Sequence, residues 1–344
     1  MKALVKYAAG KGSMEIRDVP VPSIGKKDVL IKVEAVGICG TDIRIYDGHF
    51  ETSIPVIVGH EFAGVVEQTG EEVHGYKLGD RVVSEQHTNA CGNCRLCLTG
   101  KRHLCPHKKA PGYGIDGAYA QFIAIPETLL HMIPEEVSFL EAAVIEPMAV
   151  AACGILQKAT IQPEDYVVIL GCGPIAMLAL QIVNAQGAAK VVVIGIDADE
   201  KERFAIAKEY GAYRTINTMS QDPVQVVMAD TDHMGADIVI DLSGSPEAIV
   251  QGFDLLRKDG RFCALGIPHR EVTLPWNKLI LKAVNVCFCY SSDYLSWERC
   301  LSMINRKKVN LERFLQNIYD LDDWENAFAC ARSGEALKVI IKPN

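Results

Sequence analysis

The stretch YVVILGCGPIAMLALQIV, Tyr166 to Val183, limits the possible folds more than any other part of the chain. Its apolar character resembles a membrane span, but the Gly-Cys-Gly-Pro at its centre divides it into a short strand, a turn and a helix. Gly171, Gly173 and Ala176 then form a G-x-G-x-x-A pattern directly after the strand and at the head of the helix. The first glycine permits a tight turn, and the second lets the backbone approach a pyrophosphate whose charge faces the helix N-terminus. The third position needs only a small residue. Pro174 and Ile175 belong to the same cofactor-binding turn. From Asp165 onward the β-runs YVVILG, KVVVIG, ADIVIDLSG and GRFCALG alternate with helical stretches such as DEKERFAIAKEYG. That alternation predicts an α/β domain with a parallel sheet covered on both faces.

The choice of dinucleotide rests on the end of the second strand, where an acid bonds the ribose 2′-hydroxyl of NAD. KVVVIG ends at Gly195, with Asp197 and Asp199 just beyond. Asp197 is the candidate ribose partner, and the competing reading is that Asp197 or Asp199 caps the next helix. Arg203 is the residue that a 2′-phosphate could use, although on a helix it reads as part of a solvated face. NAD is expected, with NADP not excluded.

Met1 to about Glu146 reads differently, as short β-rich runs (DVLIKVEAVGI, FAGVVEQTG, DRVVSE, YAQFIAI) separated by Gly, Pro and Asp. Ser138 with Glu141 has the form of a capping box, and Pro147 can open a helix. A chain of 344 residues fits two domains. The expected division is 1–147, completed by 285–344, and 148–284.

CGNCRLCLTGKRHLC supplies Cys91, Cys94, Cys97 and Cys105 in a C-x2-C-x2-C-x7-C spacing. Four thiolates this close close a tetrahedral cage that suits zinc and leaves no open position, so the site is structural. An iron–sulfur cluster or a disulfide pair are the alternatives. The opening MKALVKYAAG has no signal-peptide core, which points to a cytoplasmic, reducing setting and against disulfides. His87, His103 and His107 read as solvated or incidental. With 43 acidic against 35 basic residues the chain has no general basic field for nucleic acid, and no membrane association is expected.

Cys39, in GICGTDIRIYDGHF, reads by itself as a small buried hydrophobe. Together with the G-H-E-x-x-G-x-x-x-x-x-G-x-x-V run from Gly59 to Val73, GDRV, the four-cysteine segment, EPMAVA and GCGPIA, it gives a sequence of motifs that resembles the zinc-containing medium-chain dehydrogenase/reductase family, and within it the polyol and threonine dehydrogenase branch. The resemblance covers essentially the whole chain. It implies a GroES-like β-barrel catalytic domain and a Rossmann doubly wound parallel sheet, with the active site in the cleft between them. It also implies two zinc ions per chain. Cys39 and His60 would ligate the catalytic zinc, with Glu146 or the adjacent Glu61 as the carboxylate ligand. Thr41 would accept the substrate proton, and Asp42 would orient His60. Leu265, Gly266 and Ile267 would line the nicotinamide. Relatives of this kind are commonly homodimers or homotetramers.

Two residues depart from the family pattern. Arg44 stands where many relatives carry a histidine that passes the proton to solvent, which a permanently protonated guanidinium cannot do. Arg44 is therefore expected to bind a cofactor phosphate or a substrate anion. Cys289, beside Tyr290, stands where sorbitol dehydrogenases show an arginine that contacts cofactor and substrate, so sorbitol itself is in doubt. Cys153, Cys172, Cys263, Cys300 and Cys330 read as structural. The implied activity is hydride transfer between a secondary alcohol (polyol, cyclitol or amino alcohol) and NAD(P), giving the ketone. L-threonine 3-dehydrogenase is the alternative within the enzyme class, and a non-catalytic zinc- and nucleotide-binding protein is the alternative outside it.

Overall fold

The structure is a computed structural model describing residues 1–343. It divides into two compact units, each with its own apolar core. The first comprises Met1–Pro147, Ser292–Arg306 and Leu311–Asn344, and the second Met148–Ser291 with Lys307–Asn310.

The first unit begins with strands β1 (Lys2–Lys6), β2 (Met14–Asp18), β3 (Asp28–Gly37), β4 (Val56–Ile57), β5 (Glu61–Thr69), β6 (Arg81–Ser84), β7 (Phe122–Pro126) and β8 (Leu130–Met132). β2, β1 and β4 form an antiparallel sheet. The long β3 is the hub of a larger one, pairing with both β5 and β7. Val29, Ile31 and Val33 recur at the two-residue period of one strand face and are fully buried. They meet Val66, Val82 and Ile125 in the core. The Ser138 hydroxyl oxygen accepts from the Glu141 amide while the Glu141 carboxylate accepts from the Ser138 amide, so the expected capping box is present.

The second unit holds β9 (Tyr166–Leu170), β10 (Lys190–Gly195), β11 (Arg214–Asn217), β12 (Ala236–Asp241), β13 (Leu256–Ala264) and β14 (Asn285–Phe288). They make one parallel sheet in the order β11-β10-β9-β12-β13-β14. Numbered from β9 this is 3-2-1-4-5-6, the doubly wound order that binds dinucleotides where the order reverses. Every residue of β9 is buried, as a central strand covered on both faces requires.

The chain then returns to the first unit, where β15 (Asn317–Asp320) pairs with β16 (Val339–Lys342), and β16 pairs antiparallel with β3. The expected completion of the first domain from residue 285 needs one correction. β14 is bonded in register to β13, so 285–291 belongs to the second unit. Tyr166–Val183 is a strand and the start of the helix Pro174–Ala185, and no helix among the described residues is long and apolar enough to cross a membrane.

Candidate active site

β3 ends at Gly37, and two residues later Cys39 precedes the helix Gly40–Tyr46. Gly37 is opposite Glu61, the first residue of β5, and His60 is one residue earlier. One antiparallel pairing therefore brings two distant motifs together. The ligand atoms of Cys39, His60 and Glu61 lie within 4.8 Å of one another, with His60 and Glu61 buried and Cys39 partly so. A thiol, an imidazole and a carboxylate gathered this way are a donor set that fits zinc. Glu146 is outside that close group but belongs to the same electrostatic neighbourhood. Burial, and then the Glu61 carboxylate, push its pKa up to about 7.

Asp42 is fully buried one turn into the same helix. Its Oδ2 accepts from the Cys39 amide at 2.8 Å and from the Tyr119 hydroxyl at 3.0 Å. Its Oδ1 lies 3.5 Å from Nδ1 of His60. Burial disfavours charge on His60, but the Asp42 carboxylate and Cys39 outweigh it and hold the imidazole pKa well above its ordinary value. Asp42 is thus placed to fix the ring's orientation and leave the other nitrogen for a ligand. Thr41 sits half-buried beside it.

Three neighbours escape the sequence reading. Lys338, immediately before β16, is buried and paired with Glu61, and this pairing raises its pKa against the effect of burial. A Cβ at residue 37 would stand 2.5 Å from Glu61 Oε2 and 2.6 Å from Lys338 Cε, so only glycine leaves room for the pair. Tyr119 is fully buried and supports Asp42. Lys108 is drawn down to about pKa 8 by burial, with Glu146 acting in the opposite direction. A signal for Lys338 exists only in hindsight, as one cation in an otherwise apolar KVII run.

Arg44 is exposed, its guanidinium 5.7 Å from the Phe50 ring centroid. Phe50 stacks edge-on against Tyr113 at 5.2 Å, and Tyr113 against His60 at 5.9 Å. An aromatic wall therefore runs from the ligand group to Arg44.

In the four-cysteine segment the sulfurs of Cys91 and Cys97 are 4.0 Å apart, Cys94 and Cys105 4.0 Å, and Cys105 and Cys91 3.7 Å. A tetrahedron with Zn–S bonds of about 2.3 Å has edges of about 3.8 Å, so the four thiols fit zinc. Cys105 is pulled down to about pKa 6, chiefly by the Cys91 backbone amide. Of the nearby histidines only His107 is exposed. His87 and His103 are buried, which corrects the expectation that they are solvated. His87 contacts Glu85 at 3.1 Å and the Ser292 carbonyl at 2.7 Å, and burial draws His103 down to about pKa 4.

In the second unit Gly171 has φ +103°, and a Cβ there would meet Ser243 at 3.2 Å. Gly173 caps the helix Pro174–Ala185, with Pro174 in its first turn and Ile175 following, and a Cβ there would meet nothing within 4 Å. A cavity of about 520 Å³ opens beside this turn, lined by Gly171, Gly195, Asp199, Thr218 and Ser243 among others. Asp197 is turned elsewhere, with its Oδ1 accepting from Asn217 Nδ2 at 2.8 Å, whereas Asp199 lines the cavity and accepts from the Ile196 amide at 2.9 Å. Arg203 is buried near Asp199 and is not part of a solvated face. Leu265 and Gly266 follow β13, their amides bonded to the Asp241 carbonyl, and Ile267 is exposed. Cys289 is buried and Tyr290 is exposed.

Residues 25–135 match the model of the alcohol dehydrogenase GroES-like domain, and residues 174–306 that of the zinc-binding dehydrogenase domain. The chain is 38% identical to sorbitol dehydrogenase of Halalkalibacterium halodurans over 100% of this chain and 99% of that protein. It is 35% identical to L-threonine 3-dehydrogenase of Bacillus subtilis, again over 100% and 99%. A zinc-binding dehydrogenase from Sinorhizobium meliloti, solved bound to NADP, superposes with a TM-score of 0.91 at 27% identity over 99% of each chain. With a GroES-like first unit, a Rossmann second unit and full-length dehydrogenase relatives, the chain is an oxidoreductase and belongs to the zinc-containing medium-chain alcohol dehydrogenase superfamily.

Proposed function

We propose that the protein oxidises a secondary alcohol of a polyol, cyclitol or amino alcohol to the ketone, with NAD as hydride acceptor. The observation that carries this reading is the convergence of Cys39, His60 and Glu61 beside Thr41 and Asp42 in a chain of this superfamily. Cys39, His60 and a carboxylate from Glu61 or Glu146 would hold one zinc, and Cys91, Cys94, Cys97 and Cys105 a second. Zinc at the first site would supply a Lewis acid that lowers the pKa of the substrate hydroxyl, and nicotinamide a hydride acceptor.

The chain's own groups do the rest. Thr41 takes the substrate proton at its hydroxyl oxygen, while Asp42 keeps His60 in one tautomer. Lys338 pairs with the Glu61 carboxylate and balances its charge in the buried site. Arg44 cannot relay a proton. It would bind an anionic oxygen of cofactor or substrate, so the proton taken up at Thr41 leaves by a path that does not use the side chain at residue 44.

For the cofactor, the cavity-lining Asp199 takes the ribose role that the sequence spacing suggests for Asp197. The end of β10 has no room for a side chain, since a Cβ on Gly195 would stand 2.6 Å from both Asp199 Oδ2 and Cys172 Sγ. Asp199 is the next acid able to reach the cavity. A carboxylate there favours the 2′-hydroxyl and repels a 2′-phosphate, which supports NAD.

A panel of polyols, cyclitols and L-threonine, assayed with NAD and with NADP on protein of measured metal content, tests the proposal. The expected result is about two zinc per chain, one in the closed four-cysteine set and one in the open Cys39 set, with a polyol oxidised using NAD and the preference for NAD reduced in Asp199→Asn. Fully zinc-loaded protein that oxidises no alcohol with either cofactor overturns it. L-threonine as the preferred substrate would favour the second reading, which the similarity to L-threonine 3-dehydrogenases supports.

A further inference from the structure

Four of the cysteines outside both ligand sets converge in the second unit. Cys263 on β13 and Cys287 on β14 are direct register partners in neighbouring parallel strands. Cys289 extends the same face of the chain two residues on, its amide bonded to the Ala264 carbonyl. Cys153 comes from the helix Ile145–Gly154. Cys263 and Cys287 are neighbours across the two strands, and Cys289 and Cys153 interact as a second pair. They are not gathered as a metal cage: among the described residues only the Cys91 segment and the Cys39 group bring their ligand atoms within 4.8 Å.

The two partners in the first pair differ. Cys263 is fully buried, with Sγ 3.6 Å from the Gly154 carbonyl, whereas Cys287 is partly exposed. Lys158 reaches over the strand end to the Phe288 carbonyl at 2.5 Å, one residue from Cys287. The neighbouring Cys263 thiol and the Lys158 charge bring the Cys287 thiol down to about pKa 7, while the neighbouring Cys287 and burial push Cys263 up. A partly exposed thiol of lowered pKa beside a buried one of raised pKa is the arrangement of an attacking cysteine with its resolving partner.

We propose that Cys287 and Cys263 form a peroxide-sensitive dithiol, a modification site distinct from both metal-ligand sets. The Cys287 thiolate attacks a hydroperoxide oxygen, the O–O bond breaks, and Cys287 becomes a sulfenic acid as water (or the alcohol of an organic hydroperoxide) departs. The Cys263 sulfur then attacks the Cys287 sulfur. The S–S bond forms, the S–O bond breaks, and the hydroxyl leaves as water with the Cys263 proton. Two thiols lose two electrons, and the peroxide bond takes them up. Register partners in adjacent strands are about 4.8 Å apart between backbones, within the roughly 4.4–6.8 Å range that a disulfide spans between Cα atoms. Closure also requires the two Cβ atoms to come within about 4.5 Å, so the edge strand β14 must draw slightly toward β13 as the side chains rotate.

The test treats the native, zinc-loaded protein with hydrogen peroxide, blocks remaining thiols with N-ethylmaleimide and maps peptides without reduction. The expected result is a Cys263–Cys287 linked peptide that dithiothreitol reverses and that is absent from Cys287→Ser. Cys287→Ser changes the more exposed member and so spares the core. Lys158→Met should form the link several-fold more slowly, because the nearby positive charge promotes the thiolate. If Cys287 is recovered as the maleimide adduct, or only as sulfinic acid with no linked peptide, the proposal is overturned.

Discussion

Lys338 and Glu61 are both buried, and each is the other's charge partner. Removing one member of such a pair strands the other in a low-dielectric site. Lys338→Met should destabilise the metal-free protein by about 3 kcal/mol, read as a lowered urea midpoint, and Lys338→Arg should restore most of it. Glu146 makes a pH prediction. Its carboxyl titrates near pKa 7 in the folded chain, against an ordinary value of 4.5. Between those values the folded protein holds a proton that the unfolded chain has released, so stability falls as pH rises through this window. The loss is up to about 3 kcal/mol at roughly 1.4 kcal/mol per unit. Metal-free wild type should lose stability from pH 4.5 to 7 relative to Glu146→Gln, and parallel pH profiles for the two would show that Glu146 does not titrate there. Cys39 and His60 are legible in the sequence because each lies in a dense local motif. Lys338 is not, because its partner is at the far end of the chain and only the β16–β3 and β3–β5 pairings bring the two together.

At the scale of elements, the turn between β9 and its helix separates two roles that the G-x-G spelling shares. Gly171 is held at positive φ against Ser243, whereas Gly173 faces open space. Gly173→Val should leave the thermal midpoint near wild type and weaken NAD binding by at least about tenfold, some 1.4 kcal/mol. Gly171→Val should lower the midpoint itself through backbone strain. Equilibrium titration followed by NADH fluorescence, alongside a melting curve, separates the two. The strand–turn–helix order was readable because Gly and Pro punctuate a continuous apolar run. Which acid faces the cavity was not: Asp197 and Asp199 lie in one short 3-10 turn, where a rotation of two residues decides the matter. The same limit applies at β14, whose apolar residues match either unit until its hydrogen bonds to β13 are known.

Over the whole molecule, the two units divide the chemistry cleanly. All proposed zinc ligands lie in the first unit, and the dinucleotide turn and its cavity in the second. Cys94→Ser should therefore lose one of two zinc ions and lower the melting temperature of the first unit, with NADH affinity unchanged. Equal loss of NADH binding would show that the second unit depends on the cysteine lobe. The order of the units along the chain has a further consequence, for synthesis on the ribosome. β15 and β16, with Lys338, follow the whole of the second unit in sequence, yet β16 pairs with β3 from the first. The nucleotide-binding unit can thus fold while its predecessor still lacks two strands and the cation that balances Glu61. Until then the Cys39 and His60 neighbourhood is half-built, with Glu61 buried beside no balancing charge.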